Sequence, residues 1–278
     1  MSELLRPFAF EFFRNGFIAA TLAGGLCGLI GVFIVLRGMS YIGHGLSHAI
    51  FGGAVVAFVM QWNFYVGAGL WGFFAAVLIN EMARRTTIKA DAAIGVVTTA
   101  SFAVGVAIIS RYRRFTRSFD AALFGNVLGV SALDVVVIAA IALLIALTVL
   151  WLYKHFLFAT FDAETARVYG VHTAWIETLF ALLLAAALIA SLQLLGVTLI
   201  AAALVFPAIT ARLITDDFDH LLLLSTLIGA VTGATGMLLS FYADVASGAT
   251  IVLVQAGTFG TVLVWALLKQ LAQGQARH

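Results

Sequence analysis

The sequence predicts an all-α fold, a polytopic integral membrane bundle of about eight or nine transmembrane helices. Composition is the first reason: 63% of the residues are hydrophobic and 10% are charged, against roughly 45–50% and about 25% in soluble domains. Length is the second, because each apolar run is near the roughly 17–25 residues that cross a bilayer. Together they exclude a soluble enzyme, a nucleic-acid-binding domain and a disulfide-stapled secreted domain.

The apolar runs give about nine spans in a single transmembrane domain over residues 1–278, with a polar tail at 269–278. The second run is the least regular, because two histidines and several glycines suit a short or broken helix there. The predicted spans, in chain order, are 16–36, 42–60, 64–80, 92–110, 132–153, 174–194, 197–214, 220–241 and 248–268.

Some spans carry signals of their own. The first lacks an obvious small-residue cleavage site, which favours a retained helix over a secretory signal. Small residues four apart are typical of closely packed membrane helices, and they occur at Gly24/Gly28 in the first span and Gly229/Gly233 in the eighth. Pro207 in the seventh span predicts a kink or an end of that helix, since proline lacks the backbone N–H.

Lysine and arginine in the short loops favour an outside N-terminus and an inside C-terminus if all nine runs cross. Nine basic residues fall on the side assigned to the cytoplasm: Arg37, Arg84, Arg85, Lys89, Lys154, Arg167, Arg212, Lys269 and Arg277. Six fall on the other side: Arg6, Arg14, Arg111, Arg113, Arg114 and Arg117. The last four, in the loop 110–120, are the exception to the bias, and a loop facing lipid headgroups is expected there.

Two histidines in the second span are the sharpest polar signal. His44 and His48 lie four residues apart, with Gly43 and Gly45 beside the first. On a helix they share one face, and two imidazoles so placed can hold one divalent ion. The pattern fits equally well a pair of hydrogen-bonded core histidines, and a proton relay is a third interpretation.

A short polar segment at 161–173 predicts a capped helix outside the spans. Asp162 suits the N-cap, Glu164 the first turn and Gly170 the left-handed C-terminal position, with Arg167 and Tyr169 between them. About seven residues cannot hold a helix alone in water. The segment must therefore rest on headgroups, on its own bundle or on a partner.

Acidic residues flank the basic loop between the third and fourth spans. Glu81 lies before Arg84 and Arg85, and Asp91 follows Lys89. Pairing of each carboxylate with one of these basic side chains is expected.

Six blocks, in order over about residues 15–268, carry a resemblance to a known family. They are RGMSYIGHGLSHAIFGGA, RRTTIKADAAIGVV, ALFGNVLGVSALD, FDAETARVYGV, LLGVTLIAAALVFPAITARLIT and FYADVASGATIVLV. Together they resemble the permease subunits of bacterial ABC importers for manganese, zinc and iron. The resemblance implies a multi-pass protein of the bacterial inner membrane that is a transport subunit and not an enzyme.

The same resemblance implies the partners. A homodimer of the permease would enclose the pathway in the lipid bilayer, a separate cytoplasmic ATPase would bind each subunit, and an extracytoplasmic solute-binding protein would deliver the metal. The segment 161–173 matches the family's ATPase-coupling segment, which includes Asp162, Glu164, Arg167, Tyr169 and Gly170. No permanently bound cofactor is expected, only the transported Zn²⁺, Fe²⁺ or Mn²⁺, and no nucleic-acid partner.

One position departs from the family. Where the family usually has an aspartate followed four residues later by a histidine, this chain has His44 and His48. His48 matches the family's histidine, and both positions are implied metal contacts. An imidazole in place of a carboxylate favours zinc or ferrous iron over manganese, which prefers oxygen-rich sites.

Two other functions remain open from the sequence. A proton-coupled secondary metal transporter would act without an ATPase and would use the two histidines as its relay. An intramembrane metalloenzyme would need a third ligand and a general base near an open metal position. The sequence offers no residues for those two roles.

Overall fold

The computed structural model describes residues 3–111, 125 and 127–275. Across that part of the chain every regular element is helical, with short 3₁₀ segments at Glu3–Ala9 and Val127–Gly129. The α-helices are α1 (Glu11–Leu36), α2 (Ser40–Val59), α3 (Phe64–Arg85), α4 (Ala90–Arg111), α5 (Ala132–Trp151), α6 (Tyr153–Phe161), α7 (Ala163–Val168), α8 (Thr173–Ile214), α9 (Phe218–Ala243) and α10 (Ser247–Gln275).

Eight of the described helices are long and apolar enough to cross a membrane. They are all except α6 and α7, which are too short. The prediction of an all-α, polytopic membrane bundle is therefore confirmed. The first part of α8 forms the centre of the bundle, where Leu184, Ala185 and Leu188 are fully buried. Helices α5 and α10 lie at the periphery and present leucine-rich faces outward.

Helices α1 and α9 pack backbone against backbone. A Cβ on Gly24 would collide with the carbonyl oxygen of Gly229, and one on Gly28 with that of Ser225. The Ser225 hydroxyl donates a hydrogen bond to the Gly28 carbonyl oxygen over 2.6 Å. The small residues spaced by four therefore set the separation of the two helices, which run in opposite directions.

Helix α8 folds back on itself at Gly196. A straight helix of 42 residues would be about 63 Å long, but both ends of α8 lie beside the last turns of α1. Phe180 packs against Phe33 near the start of α8, and Ala208 clusters with Val32 near its end. The reversal occurs at Gly196, whose φ of 73° and ψ of 162° are the only non-helical values inside α8.

The fold-back lies at the depth of the neighbouring helices and not in an outer loop. The carbonyl oxygen of Val197 lies 3.1 Å from the hydroxyl of Ser47, inside α2. The two arms of α8 correspond to the predicted spans 174–194 and 197–214. Pro207 lies buried within the second arm, which continues as helix to Ile214. The helix is therefore interrupted at Gly196 and does not end at the proline.

The bundle has two ends that differ in charge. We call the end that holds Arg37 the basic end: α1 finishes there, α2 begins there, and Arg37 donates to Thr160 of α6 over 3.1 Å. The other described basic residues of this end are Arg84, Arg85, Lys89, Lys154, Arg167, Arg212 and Lys269. The described basic residues of the opposite end are Arg6, Arg14 and Arg111. Arg113, Arg114, Arg117 and Arg277 lie outside the described residues.

Candidate metal pathway

A groove between α2 and α4 holds both histidines. Its volume is about 640 Å³, and we call it the histidine groove. The helices that form it are parallel, because Gly45 of α2 packs on Ile94 and Thr98 while Gly52 packs on Ser101. A side chain at either glycine would push α4 away, so these glycines fix the width of the groove. The lining residues are Gly38, Tyr41, His44, Gly45, His48, Asp91, Ile94, Gly95, Thr98, Thr99 and Phe102.

The two imidazoles lie one above the other on this face. Their ring centroids are 4.5 Å apart, and His48 also packs on Phe102, with a centroid separation of 5.1 Å. Nδ1 of His48 lies 2.9 Å from the carbonyl oxygen of His44. The proton is therefore assigned to Nδ1, which leaves the Nε2 lone pair of His48 available to a metal ion.

Helix α2 is anchored to the fold-back of α8 on its other side. The Ser47 hydroxyl lies 2.8 Å from the carbonyl oxygen of His44 and 3.1 Å from that of Val197, and it is fully buried. Displacement of the second arm of α8 would therefore act directly on the turn of α2 that carries the histidines. No local sequence signal predicts that Ser47 connects α2 to α8.

The described residues leave the histidine groove uncovered. His44 is exposed and His48 half-buried, and Tyr41 is 74% exposed, although α2 is one of the helices able to cross a membrane. Polar side chains at membrane depth face protein or water and not lipid. This face therefore requires a further protein surface or a water-filled space against it.

The groove offers few strong metal ligands. Among the described residues, no three His, Cys, Asp or Glu side chains cluster closely enough to enclose one ion. Two imidazoles with an open side suit a transit site, from which an ion must leave again, better than a closed structural site.

The residues of the predicted coupling segment do form a capped helix at the basic end. Asp162 accepts a hydrogen bond from the backbone N–H of Thr165 over 2.9 Å and another from its hydroxyl. These donors hold the pKa of Asp162 below its ordinary value. Gly170 has a φ of 82°, as a left-handed C-terminal position requires, and buried Ala166 fixes the helix to the bundle.

The outer face of this segment is exposed and partly apolar. Val168 is 85% and Tyr169 78% exposed, and Phe161 is 61% exposed. Glu164 and Arg167 are exposed beside them. The segment therefore rests on the bundle through Ala166 and Val171 and leaves an amphipathic face open beyond the spans.

Arg37 joins the basic ends of several helices. Its Nε donates to Thr160 of α6, and its guanidinium lies 4.4 Å from the ring centroid of Phe180 in α8. Burial lowers the pKa of Arg37 to about 10, and Glu177 opposes that shift. Arg37 immediately precedes Gly38, which has a φ of 65°, and so it ties the start of α2 to the helix that leads into α7. In the sequence, the basic charge of Arg37 was the only signal of this role.

Only one of the two acidic residues flanking the basic loop is paired. Glu81 forms ion pairs with Arg84 and Arg85, as expected. For Asp91 the expectation was wrong: in the part of the chain that is described, its side chain makes no ion pair or hydrogen bond, and it lines the histidine groove instead.

Comparison with known proteins places this architecture in a family. Residues 9–266 match the ABC 3 transport family. The manganese transport system membrane protein MntC of Halalkalibacterium halodurans is 37% identical over 251 residues, covering 90% of this chain and 86% of that protein. The chelated iron transport system membrane protein YfeD of Yersinia pestis is 34% identical, covering 97% and 91%. The solved structure of PsaBC from Streptococcus pneumoniae in complex with Fab matches with a TM-score of 0.85 and 31% identity, covering 94% of each chain.

Proposed function

Because this chain belongs to the ABC 3 transport family and is a multi-pass permease subunit of a bacterial metal importer, we propose that it conducts divalent transition-metal ions through the histidine groove, driven by ATP hydrolysis on a partner subunit. The observation that carries the proposal is the pair His44 and His48 on one open face, with Nε2 of His48 free to bind. Two neutral nitrogen donors bind a divalent ion and release it again, as transport requires.

The exposed groove supports a homodimer. Lipid cannot satisfy the imidazoles of His44 and His48, whereas a second copy placed against α2 and α4 would bury them in protein. The pathway would then lie between two permease subunits, each contributing one histidine groove. An interface of this kind also explains the exposure of Tyr41 beside His44.

The coupling segment 161–173 is the proposed contact for the ATPase. Its capped helix projects at the basic end, and its exposed Val168 and Tyr169 need a partner surface outside the bilayer. Asp162 holds the helix start, while Glu164 and Arg167 supply charges for a polar rim. At the opposite end, a solute-binding protein would deliver the metal to the groove.

Alternating access would use the broken helix α8. Discontinuous helices at membrane depth commonly border the binding site of transporters. Here the break at Gly196 leaves Val197 beside Ser47, which supports His44 from the other side of α2. Movement of the coupling segment would reach α2 through Thr160 and Arg37, and it would open the groove to one end at a time.

The ligand chemistry favours ferrous iron over manganese. Affinity for nitrogen donors rises from Mn²⁺ to Fe²⁺, and the relatives described above are named for manganese and for chelated iron. We therefore propose Fe²⁺ as the preferred ion, with Mn²⁺ as a second substrate and Zn²⁺ as the competitor to be tested. The histidine at position 44, where an aspartate is usual, is the reason for placing Fe²⁺ above Mn²⁺; the same imidazole also suits Zn²⁺, for which neither relative described above is named.

The test is transport by the whole assembly. The permease, its ATPase and its solute-binding protein are reconstituted in vesicles, and uptake of Fe²⁺, Mn²⁺ and Zn²⁺ is followed with ATP hydrolysis. We expect His44→Ala and His48→Ala to lower uptake at least tenfold while the ATPase still co-purifies; tenfold is about the effect of 1.4 kcal/mol on a barrier. His155→Ala, an exposed histidine of α6 outside the groove, is the matched control.

Three outcomes would overturn parts of the proposal. Wild-type uptake in both groove variants would remove the metal role of His44 and His48. Uptake by the permease alone, without ATP, would favour the proton-coupled secondary transporter. Normal coupling in Asp162→Ala and Tyr169→Ala variants would place the ATPase contact elsewhere.

A further inference from the structure

Asp91 lies in the same groove as the two histidines, nearer the basic end. Helices α2 and α4 are parallel, and Gly45 is level with Ile94 and Thr98. Asp91 is therefore level with Tyr41. At a rise of about 1.5 Å per residue, it lies about one turn below His44 and about 10 Å along the helix axis from His48. The order from mid-helix to the mouth of the groove is thus imidazole, imidazole, carboxylate.

In the described part of the chain, Asp91 is unpaired, in contrast to two other carboxylates at this end. Glu81 is held by Arg84 and Arg85, and Asp216 is held by Arg212 over 3.1 Å. Within residues 3–111, 125 and 127–275, the Asp91 side chain has no hydrogen bond or ion pair, and it is the only acidic side chain that lines the histidine groove.

An ion leaving the histidines meets an unfavourable charge environment. The imidazoles are neutral ligands, and the basic end ahead of the ion holds Arg37, Arg84, Arg85 and Lys89. A divalent cation is repelled by these guanidinium and ammonium groups, of which Arg84 and Arg85 are partly neutralised by Glu81, and a low dielectric around the groove makes the repulsion stronger than in water. A carboxylate at the mouth offsets this repulsion and supplies the oxygen ligand that divalent ions accept.

We propose that Asp91 is a second binding station for the transported divalent cation, which receives the ion from His44 and passes it out at the basic end. This inference rests on the proposed function, since it concerns the same ion and the same groove. The proposal adds Asp91 as a ligand outside the histidine pair. Asp91 would assist release of the ion, whereas the histidines would select it.

Charge removal with a matched control tests the station. In the reconstituted assembly, Asp91→Asn should lower the maximal rate of Mn²⁺ uptake at least tenfold, because a contact between a carboxylate and a divalent ion at about 4 Å is worth roughly that factor or more even when it is screened by water. Asp91→Glu should restore most of the rate because it keeps the carboxylate. Asp216→Asn removes the same charge at the same end outside the groove and should leave uptake unchanged.

A ligand swap separates metal binding from a structural role. Asp91→Cys replaces an oxygen donor by a thiolate, which prefers soft ions, so Cd²⁺ applied at the basic end should block Mn²⁺ uptake in this variant. It should not block uptake in Asp216→Cys. The background is low because the chain's single cysteine, Cys27, is buried.

The outcomes distinguish the station from the metal role of the histidines. Loss of uptake in His48→Ala with wild-type uptake in Asp91→Asn would overturn the station and leave the proposed function standing. Wild-type uptake in His48→Ala would overturn the histidine site, whatever Asp91 does. Loss of uptake in Asp91→Asn without rescue by Asp91→Glu, and without Cd²⁺ block in Asp91→Cys, would also overturn the station, because such an effect is structural.

Discussion

Replacement of Gly28 by alanine should destabilise the bundle by forcing α1 and α9 apart. A Cβ at this position would collide with the Ser225 carbonyl oxygen and would lie 3.1 Å from the Cα of Thr226. These atoms belong to the backbone and cannot swing aside as a flexible side chain would. Overpacking of this kind costs about 1–3 kcal/mol, and the loss of the hydrogen bond from Ser225 to Gly28 adds roughly 0.6–1.7 kcal/mol. We therefore expect a total of about 2–5 kcal/mol.

Thermal unfolding of the purified permease in nanodiscs measures this loss. Gly257→Ala in α10 is the control, because a Cβ there meets no atom within 4 Å and alanine favours a helix over glycine by about 1 kcal/mol. Its melting temperature should stay the same or rise. Ser225→Ala removes only the hydrogen bond and should give a smaller loss than Gly28→Ala. Equal melting temperatures for the variants of Gly28 and Gly257 would refute the reasoning.

Three further changes test other parts of the structure. The cap lowers the pKa of Asp162. The stabilisation of α7 by the ionised Asp162 side chain is therefore present above the ordinary carboxyl pKa and is lost as pH falls through the lowered value. ATPase binding should weaken in that acid range, and Asp162→Asn should abolish the pH dependence. Arg37→Lys should reduce transported metal per ATP because lysine lacks the Nε–H that bonds to Thr160, and Thr160→Val should reproduce the effect unless Arg37 acts by charge alone. Gln255 is 1% exposed, and neither of its amide atoms has a hydrogen-bond partner among the described residues, so Gln255→Leu should keep or raise the melting temperature; a fall would contradict the absence of a partner.

The membrane fold could be predicted from the sequence because each span depends only on the apolar residues within it. Apolar runs of bilayer length are visible in composition alone, and the small residues at Gly24 and Gly28 showed where helices come close. Side-chain capping by Asp162 is likewise a local effect, which depends on neighbours three residues away. Such features follow from short stretches of chain.

Features that depend on tertiary contacts were not predictable. The predicted spans 174–194 and 197–214 already separate the two arms of α8, but Gly196 resembles the chain's other helical glycines, and no local pattern shows that it takes a positive φ and turns the chain inside the bundle. Nearby charges in the sequence predicted a pairing of Asp91, but Glu81 takes Arg84 and Arg85 on its own helix face. The direction in which Asp91 points follows from the parallel packing of α4 on α2, which no local pattern encodes.

Pulsed electron paramagnetic resonance of Mn²⁺ bound to the purified permease tests the central claim most directly. Nitrogen hyperfine couplings identify imidazole ligands, and ¹⁵N-labelled histidine assigns them. We predict a histidine nitrogen coupling in the wild-type protein that is lost in His48→Ala and retained in His155→Ala. Mn²⁺ bound with oxygen ligands alone, or a nitrogen coupling that persists in the doubly substituted His44→Ala, His48→Ala protein, would contradict the assignment of the histidine groove as the metal pathway.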